Sequence, residues 1–184
     1  NDASTAVGDT VVTVTSGTGI SVGDIVNFGD QYEYRVVNVA TNDLTIVRKE
    51  EPQHFVASDS SGLHAVITNG AAVRRRWKYY DLFDKAPGTS PFAAARGGVN
   101  DEIHIVVIDE DGVISGQKGE VLETYDAVSK GSDAKTPQGD TNYYPDVIYN
   151  KSNYIYWMDH NSSGTNWGSA VSGLTFTAVT AVSN

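Results

Sequence analysis

The sequence predicts an α+β protein dominated by β-structure, in which a small antiparallel, barrel-like β-domain is followed by a layered α/β domain. Short runs of Val, Ile, Thr and Tyr are separated by Gly, Asn, Asp and Ser, which is the composition of strands and turns. Apolar and polar residues alternate with a period of two in the first part of the chain. In the second part a helix signal lies between strand signals, which favours a layered α/β unit.

The first predicted domain spans residues 1–72 and consists of strands and tight turns. Its predicted strands are Thr10–Thr15, Ile25–Phe28, Gln31–Val39, Leu44–Val47 and His64–Thr68. Gly17 and Gly19 permit a positive φ after the first strand, and Gly29 permits one after the second. Strands at such regular spacing favour a small barrel or a curled sheet, because closure removes the exposed edges.

The second predicted domain spans residues 73–184 and mixes helices with strands. Ser90 as the N-cap, Pro91 at the first helical position and Gly97–Gly98 as the stop predict a short helix. The other predicted elements are a strand at Glu102–Ile108, a turn at Asp109–Gly112, a return strand at Val113–Ser115, an extended or helical run at Glu120–Ser129, a helix at Thr141–Asn150 with Pro145 near its start, a strand at Tyr154–Met158, and a last strand or tail at Leu174–Val182.

Charge and composition exclude several classes of function. Lys and Arg number 13 against 23 Asp and Glu, and the formal net charge of −10 disfavours nucleic acid and anionic lipid as partners. The absence of cysteine excludes a disulfide framework, a thiolate zinc site, an iron–sulfur cluster and a cysteine nucleophile. No apolar run approaches the roughly 18 residues of a membrane span, so we expect no membrane insertion. Because residue 1 is Asn, we expect the chain to be a piece of a longer protein.

Two candidate metal sites fail on spacing. Asp109–Gly112 is rich in carboxylates, but aligning Gly112 with the glycine of an EF-hand places Val107 at the first ligand position and Lys118 at the twelfth. A solvated hairpin turn is therefore predicted there. No pair of histidines has the H-x-x-x-H spacing of a zinc site; the four are His54, His64, His104 and His160.

The residues also offer no catalytic constellation. A hydrolase using Glu102, His104 and Asp109 is disfavoured, because strand alternation places Asp109 on the face opposite to the other two side chains. Neither Gly62 nor Gly168 lies in a G-x-S-x-G nucleophile elbow, and the glycines at 116 and 119 lack the spacing of a phosphate loop. We therefore assign no catalytic, cofactor-binding or metal-binding residue, and expect that the chain is not an enzyme.

Two sets of side chains point to binding or to packing. The basic run Arg74–Lys78 fits salt bridges to acidic neighbours better than phosphate contacts, given the negative charge of the chain, although it could also contact the acidic face of a neighbouring subunit in an assembly. The second half is rich in aromatic residues, and a core position is predicted for most of them; they are Tyr79, Tyr80, Phe83, Tyr143, Tyr144, Tyr149, Tyr154, Tyr156 and Trp157.

The segment GTSPFAAARGGVNDEIHIVVIDEDG at residues 88–112 resembles the tail sheath proteins of contractile-tailed bacteriophages of the myovirus type. In that family a short Ala-rich segment, a Gly-Gly break and an Asn-Asp pair lead into an apolar strand that ends in an acidic turn. Residues 119–129, 147–155 and 60–68 are similar to further stretches of the same family, in the same order. The resemblance extends over about residues 58–158.

The resemblance implies that residues 1–72 form a protruding outer β-barrel-like domain and that residues 73–184 begin the α/β sheath domain. It implies a structural virion protein that is assembled in the host cytoplasm. Identical subunits polymerise helically around the tail tube and contract, which drives the tube through the host envelope for genome delivery. Family members are several times longer, and the chain alone is expected to be monomeric.

A host-glycan-binding β-module of a virion surface protein is the alternative function. It would use loops of the outer domain, such as Ser16–Gly19 or Ser58–Gly62, and it requires exposed aromatic residues near them. The candidates in that domain are Phe28, Tyr32, Tyr34 and Phe55.

Overall fold

A computed structural model describes residues 5–50, 54–55, 62–160 and 166–177. These residues divide into two compact units, with the division between Asp81 and Leu82. The predicted boundary lies earlier, after residue 72, and residues 73–81 belong to the first unit in the structure. Across the described residues eight strands stand against two α-helices and one short 3-10 helix, so the prediction of a β-dominated protein is confirmed.

The first unit contains an antiparallel sheet in the order β1-β4-β3-β2-β6, and the short β5 pairs with β4. Its strands are β1 (Val11–Thr13), β2 (Ile25–Asn27), β3 (Tyr34–Ala40), β4 (Asp43–Glu50), β5 (His54–Phe55) and β6 (Arg74–Arg76). The predicted antiparallel arrangement is therefore confirmed. Among the described residues no pairing joins the edge strands β1 and β6, so the sheet is open and the predicted barrel closure is not found.

The core of the first unit follows from the period of two along the strands. Val12 and Val14 near β1, Tyr34 and Val36 on β3, and Leu44 and Ile46 on β4 are all buried on one face of the sheet. The tight turn between β3 and β4 lies against Gly17, where a Cβ atom would approach the Thr41 carbonyl oxygen to 2.1 Å. Only glycine fits at that position.

The predicted strand His64–Thr68 is not formed. Its backbone bends, and its hydrogen bonds go to the segment before β1: the Thr5 N–H donates to the Ile67 carbonyl at 3.2 Å. Leu63 and Ile67 are nevertheless buried in the core of the first unit. The apolar run predicts a strand, and it does identify buried residues. Its periodicity cannot show which backbone segment these residues bond to, and here that segment is not a strand.

The second unit contains α1 (Pro91–Ala94), β7 (Glu102–Asp109), β8 (Glu120–Ser129) and α2 (Tyr144–Lys151). The signals for α1 are confirmed: the Ser90 hydroxyl caps the Ala93 N–H, and the Gly98 N–H donates to the Ala93 carbonyl after Gly97 adopts a φ of 73°. The predicted strand at 102–108 and the predicted helix with Pro145 in its first turn are also confirmed.

Strand β8 pairs with β7 as an antiparallel hairpin, which excludes the helical interpretation of residues 120–129. Apolar side chains of α2, including Val147 and Ile148, pack with Tyr125 and Val128 of β8 in one cluster. The predicted return strand at 113–115 is wrong, because that segment is a series of turns and the chain returns only at Glu120.

The predicted strand Tyr154–Met158 is also wrong: these residues pair with no described strand. Residues 174–177 form only an isolated bridge, between Thr175 and Val99, and the rest of the predicted last strand lies outside the described residues. The strand, helix, strand layer expected for the second domain is therefore not seen in the part of the chain that the structure describes.

Candidate functional site: an exposed aromatic segment

His104 is a packed structural residue. Its ring stacks on Phe83 at 4.1 Å between centroids, its Nδ1 accepts the Ala127 N–H at 3.0 Å, and its Nε2 lies 2.7 Å from the Lys85 carbonyl oxygen. A carbonyl oxygen only accepts, so Nε2 carries the proton. Both ring nitrogens are therefore occupied by backbone groups and neither is positioned to act as a base.

This arrangement predicts the tautomer of His104. We expect nitrogen-15 NMR of the neutral imidazole to show the Nε2–H form, with Nδ1 as the unprotonated nitrogen, even though the Asp126 carboxylate lies 3.3 Å from Nδ1. An Nδ1–H form would contradict the two hydrogen bonds. His64, whose ring stacks on Tyr32, is a control for the assignment of the histidine signals.

The three residues considered for a hydrolase do not converge. Glu102 accepts hydrogen bonds from the Gly88 N–H at 3.0 Å and from the Lys85 ammonium at 3.4 Å. Asp109 lies five residues beyond His104 on the same strand, a separation of about 16 Å at a rise of about 3.3 Å per residue. The side chains of these residues therefore cannot meet at one reacting atom.

Asp109 organises the acidic turn after β7. A solvated turn is predicted here, but the Asp109 side chain is buried. Its carboxylate accepts the N–H groups of Gly112, Ile114 and Ser115 at 3.0, 2.9 and 2.6 Å, and the Ser115 hydroxyl at 2.8 Å. These bonds, first of all that from the Ser115 N–H, lower the pKa of Asp109 to about 2. The described residues contain no group of acids and histidines that could hold a metal ion.

The second unit also contains a buried polar network that the sequence does not reveal. The Asp101 carboxylate accepts the Ser90 N–H and hydroxyl, both at 2.8 Å, and the Ser129 hydroxyl at 2.6 Å. Lys130 is buried beside it and donates to the Thr177 carbonyl at 2.9 Å. Burial lowers the pKa of the Lys130 ammonium, and the charge of Asp101 opposes that shift.

The network contains the residue types of a catalytic serine–lysine pair, but its hydrogen bonds give it a structural role. The Ser90 hydroxyl donates to Asp101 and accepts the Ala93 N–H, and the Ser129 hydroxyl donates to Asp101 and accepts the Gly131 N–H. Both hydroxyls therefore have their proton and a lone pair occupied, and both serines are buried. The network fixes the ends of α1, β7 and β8 and offers no accessible nucleophile.

The basic run of the first unit forms salt bridges, as the favoured interpretation of the sequence predicts. The Arg75 Nε donates to the buried Asp24 carboxylate at 2.6 Å. Arg76 pairs closely with Glu33 and lies 3.9 Å from Asp81. These two cations are therefore already engaged within the unit.

The aromatic residues of the second half depart most from prediction. A core position is wrong for Tyr80, Tyr149, Tyr154, Tyr156 and Trp157, which are 37%, 78%, 46%, 80% and 39% exposed. Met158 follows at 87%. We call the stretch Tyr154–Met158 the aromatic segment; apolar side chains this exposed and this close together in sequence are typical of a binding surface.

The start of the aromatic segment is fixed by Glu123. One carboxylate oxygen accepts the Asn153 N–H at 2.8 Å, and the other accepts the hydroxyls of Ser152 and Tyr125 at 2.7 and 2.8 Å. The Ser152 hydroxyl in turn accepts the N–H groups of residues 154 and 155. Carboxylate and hydroxyl together turn the chain away from the end of α2.

The rest of the segment is held by ring contacts and hydrogen bonds. Ile155 packs against the cluster between α2 and the hairpin. The Trp157 Nε1–H donates to the Tyr144 hydroxyl at 2.8 Å, and that hydroxyl lies 2.8 Å from the His160 Nδ1. Because the Tyr144 oxygen accepts a hydrogen bond from Trp157, the Tyr144 hydroxyl can donate its own hydrogen bond to the His160 Nδ1. Tyr156 therefore points outward from a backbone that is fixed on both sides.

The main chain of residues 156–158 makes no hydrogen bond to another residue that the structure describes. A backbone whose donors and acceptors are not bonded to any described residue, flanked by exposed rings, can accept another polypeptide by strand addition or by side-chain packing. Such a surface does not bind a small molecule in a pocket.

Acid should loosen the start of the aromatic segment. Burial alone would raise the pKa of Glu123, but the hydrogen bonds from Asn153, Ser152 and Tyr125 outweigh it and lower that pKa. A carboxylate whose pKa is lowered stabilises the fold above its unfolded value of about 4.3, and the contribution is lost as the pH falls through the lowered value.

We therefore expect hydrogen exchange at the Asn153 and Tyr154 amides to accelerate below about pH 4, after correction for the intrinsic rate. The variant Glu123→Gln should show the faster exchange already at neutral pH and lose the pH dependence. Unchanged protection in that variant would contradict the anchoring role of the carboxylate.

Among the described residues of the first unit, the aromatic side chains proposed for glycan binding do not form an exposed surface. Phe28 and Tyr34 are buried in its core, and Tyr32 stacks on His64 at 4.1 Å. The side chain of Phe55 and residues 58–61 lie outside the described residues. The sequence-predicted aromatic candidates that the structure describes are therefore mainly packing residues.

A groove of about 610 Å³ lies in the second unit beside β8 and α2. It is lined by polar groups that include Asp126, Asp140, Asn150 and Lys151. Its side chains are spread along an open surface and do not converge on one point, so we assign no ligand to it.

Searches with protein-family models, curated protein sequences and solved structures find no significant match to this chain. Among the described residues, no helix has both the length and the apolar character needed to cross a bilayer.

Proposed function

We propose that the chain is part of a structural subunit of a contractile phage tail sheath. The observation that carries the proposal is the aromatic segment, in which exposed rings lie on a backbone that pairs with no described strand and is held by Glu123 and Trp157. The cost of binding is lower when the surface is already ordered, so such a segment suits repeated association with identical partners. The resemblance of residues 88–112 to the sheath family supports the same function.

In this proposal the subunits polymerise helically around the tail tube in the virion and contract to drive the tube through the host envelope. Contraction requires two packings of the same subunits and no bond chemistry. The second unit would be part of a larger layered α/β domain, and the first unit would be the protruding outer domain. The chain by itself would be a monomer, with no enzymatic activity and no cofactor.

Immunogold electron microscopy of the phage that encodes this sequence tests the proposal. Antibodies raised against the purified chain should decorate the whole length of the extended tail, and should decorate a shorter, wider sleeve after contraction. Labelling confined to the capsid, the fibres or the tube would contradict the proposal. Binding of the purified chain to a glycan array would favour the alternative, a host-glycan-binding module.

A further inference from the structure

The turn that leads from the core of the first unit toward β6 contains an Asn-Gly pair, Asn69–Gly70. This is the only Asn-Gly pair in the sequence. A hydrogen bond from the Ala71 N–H to the Thr68 carbonyl, at 3.1 Å, closes the turn. Asn69 and Gly70 are both exposed, and Gly70 has a φ of 82°, which glycine adopts without strain.

We propose that Asn69 is a site of spontaneous deamidation. Neither its side-chain amide nor the Gly70 N–H makes a hydrogen bond to another described residue. A Cβ atom built on Gly70 would meet nothing within 4 Å, so the space around the peptide bond is open. Because Asn69 and Gly70 are exposed and these two groups are not bonded to a described residue, a small local movement of the surface turn can bring the Gly70 nitrogen to the Asn69 side chain.

The reaction needs only the chain and water. The Gly70 nitrogen attacks the Asn69 Cγ and forms a new C–N bond, while the bond from Cγ to the amide nitrogen breaks and ammonia leaves with the former Gly70 proton. Water then opens the cyclic imide. Cleavage at Cγ gives Asp at position 69, and cleavage at the main-chain carbonyl gives isoaspartate, in which the chain runs through the side chain.

A second pair in the same chain, Asp111–Gly112, provides an internal comparison. Asp before Gly can form the same imide by loss of water, but here the attacking group is engaged. The Gly112 N–H donates to the buried Asp109 carboxylate at 3.0 Å, and the Asp111 carboxylate accepts the Val113 N–H at 3.1 Å. The fold therefore protects this pair and leaves Asn69–Gly70 unprotected.

Either product changes the first unit. Deamidation adds one negative charge to an already acidic chain, and isoaspartate adds one carbon to the main chain of a turn. That turn follows Ile67, which is buried and bonded through its backbone to Thr5. We expect the isoaspartate form to disturb this anchor more than the Asp form does.

The test compares folded and urea-unfolded chain, incubated in mildly alkaline buffer. Peptide mass spectrometry measures the deamidated fraction at Asn69, and enzymatic methylation of isoaspartate identifies the isomer at both sites. The folded and unfolded rates at Asn69 should agree within about threefold, whereas folding should slow isoaspartate formation at Asp111 by about tenfold or more.

The variant Asn69→Gln is the matched control, because a six-membered ring closes more slowly, and it should abolish the product at this position. Deamidation at Asn69 that is strongly slowed by folding, or absent in the unfolded chain, would overturn the proposal. Equal protection of Asn69 and Asp111 would overturn it as well. The result does not depend on the tail sheath assignment.

Discussion

Replacing Asp101 by Ala should lower the free energy of unfolding of the second unit by about 3 kcal/mol. The fully buried carboxylate accepts two hydrogen bonds from Ser90 and one from Ser129, and it faces the charge of Lys130. Its removal leaves these donors and the buried ammonium without their acceptor, and buried groups without partners carry the full cost of desolvation.

Urea denaturation followed by tryptophan fluorescence measures this effect. A Trp77→Phe background removes the tryptophan of the first unit, so that Trp157 and Trp167 report on the second. Asp146→Ala is the matched control, because Asp146 is exposed and bonds only the Thr141 hydroxyl; it should change stability by less than about 0.5 kcal/mol. Equal effects of the two variants would contradict a supporting role for the buried network.

If the chain has the proposed tail sheath function, exchanging Tyr156 and Met158 for Ser together should weaken helical assembly of the full-length protein without unfolding the second unit. Both side chains are at least four-fifths exposed, so they stabilise the isolated chain little. Aromatic side chains at the centre of an interface each contribute about 2 kcal/mol or more, and each 1.4 kcal/mol is a tenfold change in affinity. We expect the concentration needed for polymerisation to rise by about tenfold or more.

Sedimentation and negative-stain microscopy of the polymer measure this concentration, and circular dichroism checks the fold. Val22→Ser is a suitable control, because Val22 is a half-exposed apolar residue of the first unit. Normal assembly of the double variant would exclude the aromatic segment from the interface. Failure of the unmodified protein to form any helical polymer would instead contradict the proposed function.

Local signals were sufficient for the elements whose ends are set by neighbouring residues. Helix α1 follows from the capping serine, the proline and the glycine pair within a single short stretch. Strand β7 follows from an apolar run that an acidic turn terminates. In both, the residues that decide the structure are close in sequence, so composition and spacing contain the information.

Contacts between distant residues explain what could not be predicted. The Asp101 network joins residues 90, 101 and 129, and although Ser90 is recognisable as a helix cap, no local pattern shows that these three side chains meet. The aromatic segment is a short apolar run of the kind that predicts a strand, but a strand also needs a partner, and the partner is not encoded in the segment itself. Exposure of Tyr156 therefore becomes visible only when the positions of α2 and the hairpin are known.

The arginines of β6 have a consequence for how copies of this chain can approach one another. β6 is the last strand of its sheet, and three consecutive guanidinium side chains occupy it. A foreign strand that paired with this edge would bring its own side chains beside guanidinium groups on both faces of the sheet, at a cost in hydration and with disturbance of the ion pairs to Asp24 and Glu33. The arginines therefore disfavour the addition of a further strand at this edge. Fibre formation by edge-to-edge pairing of sheets is disfavoured at β6 for the same reason.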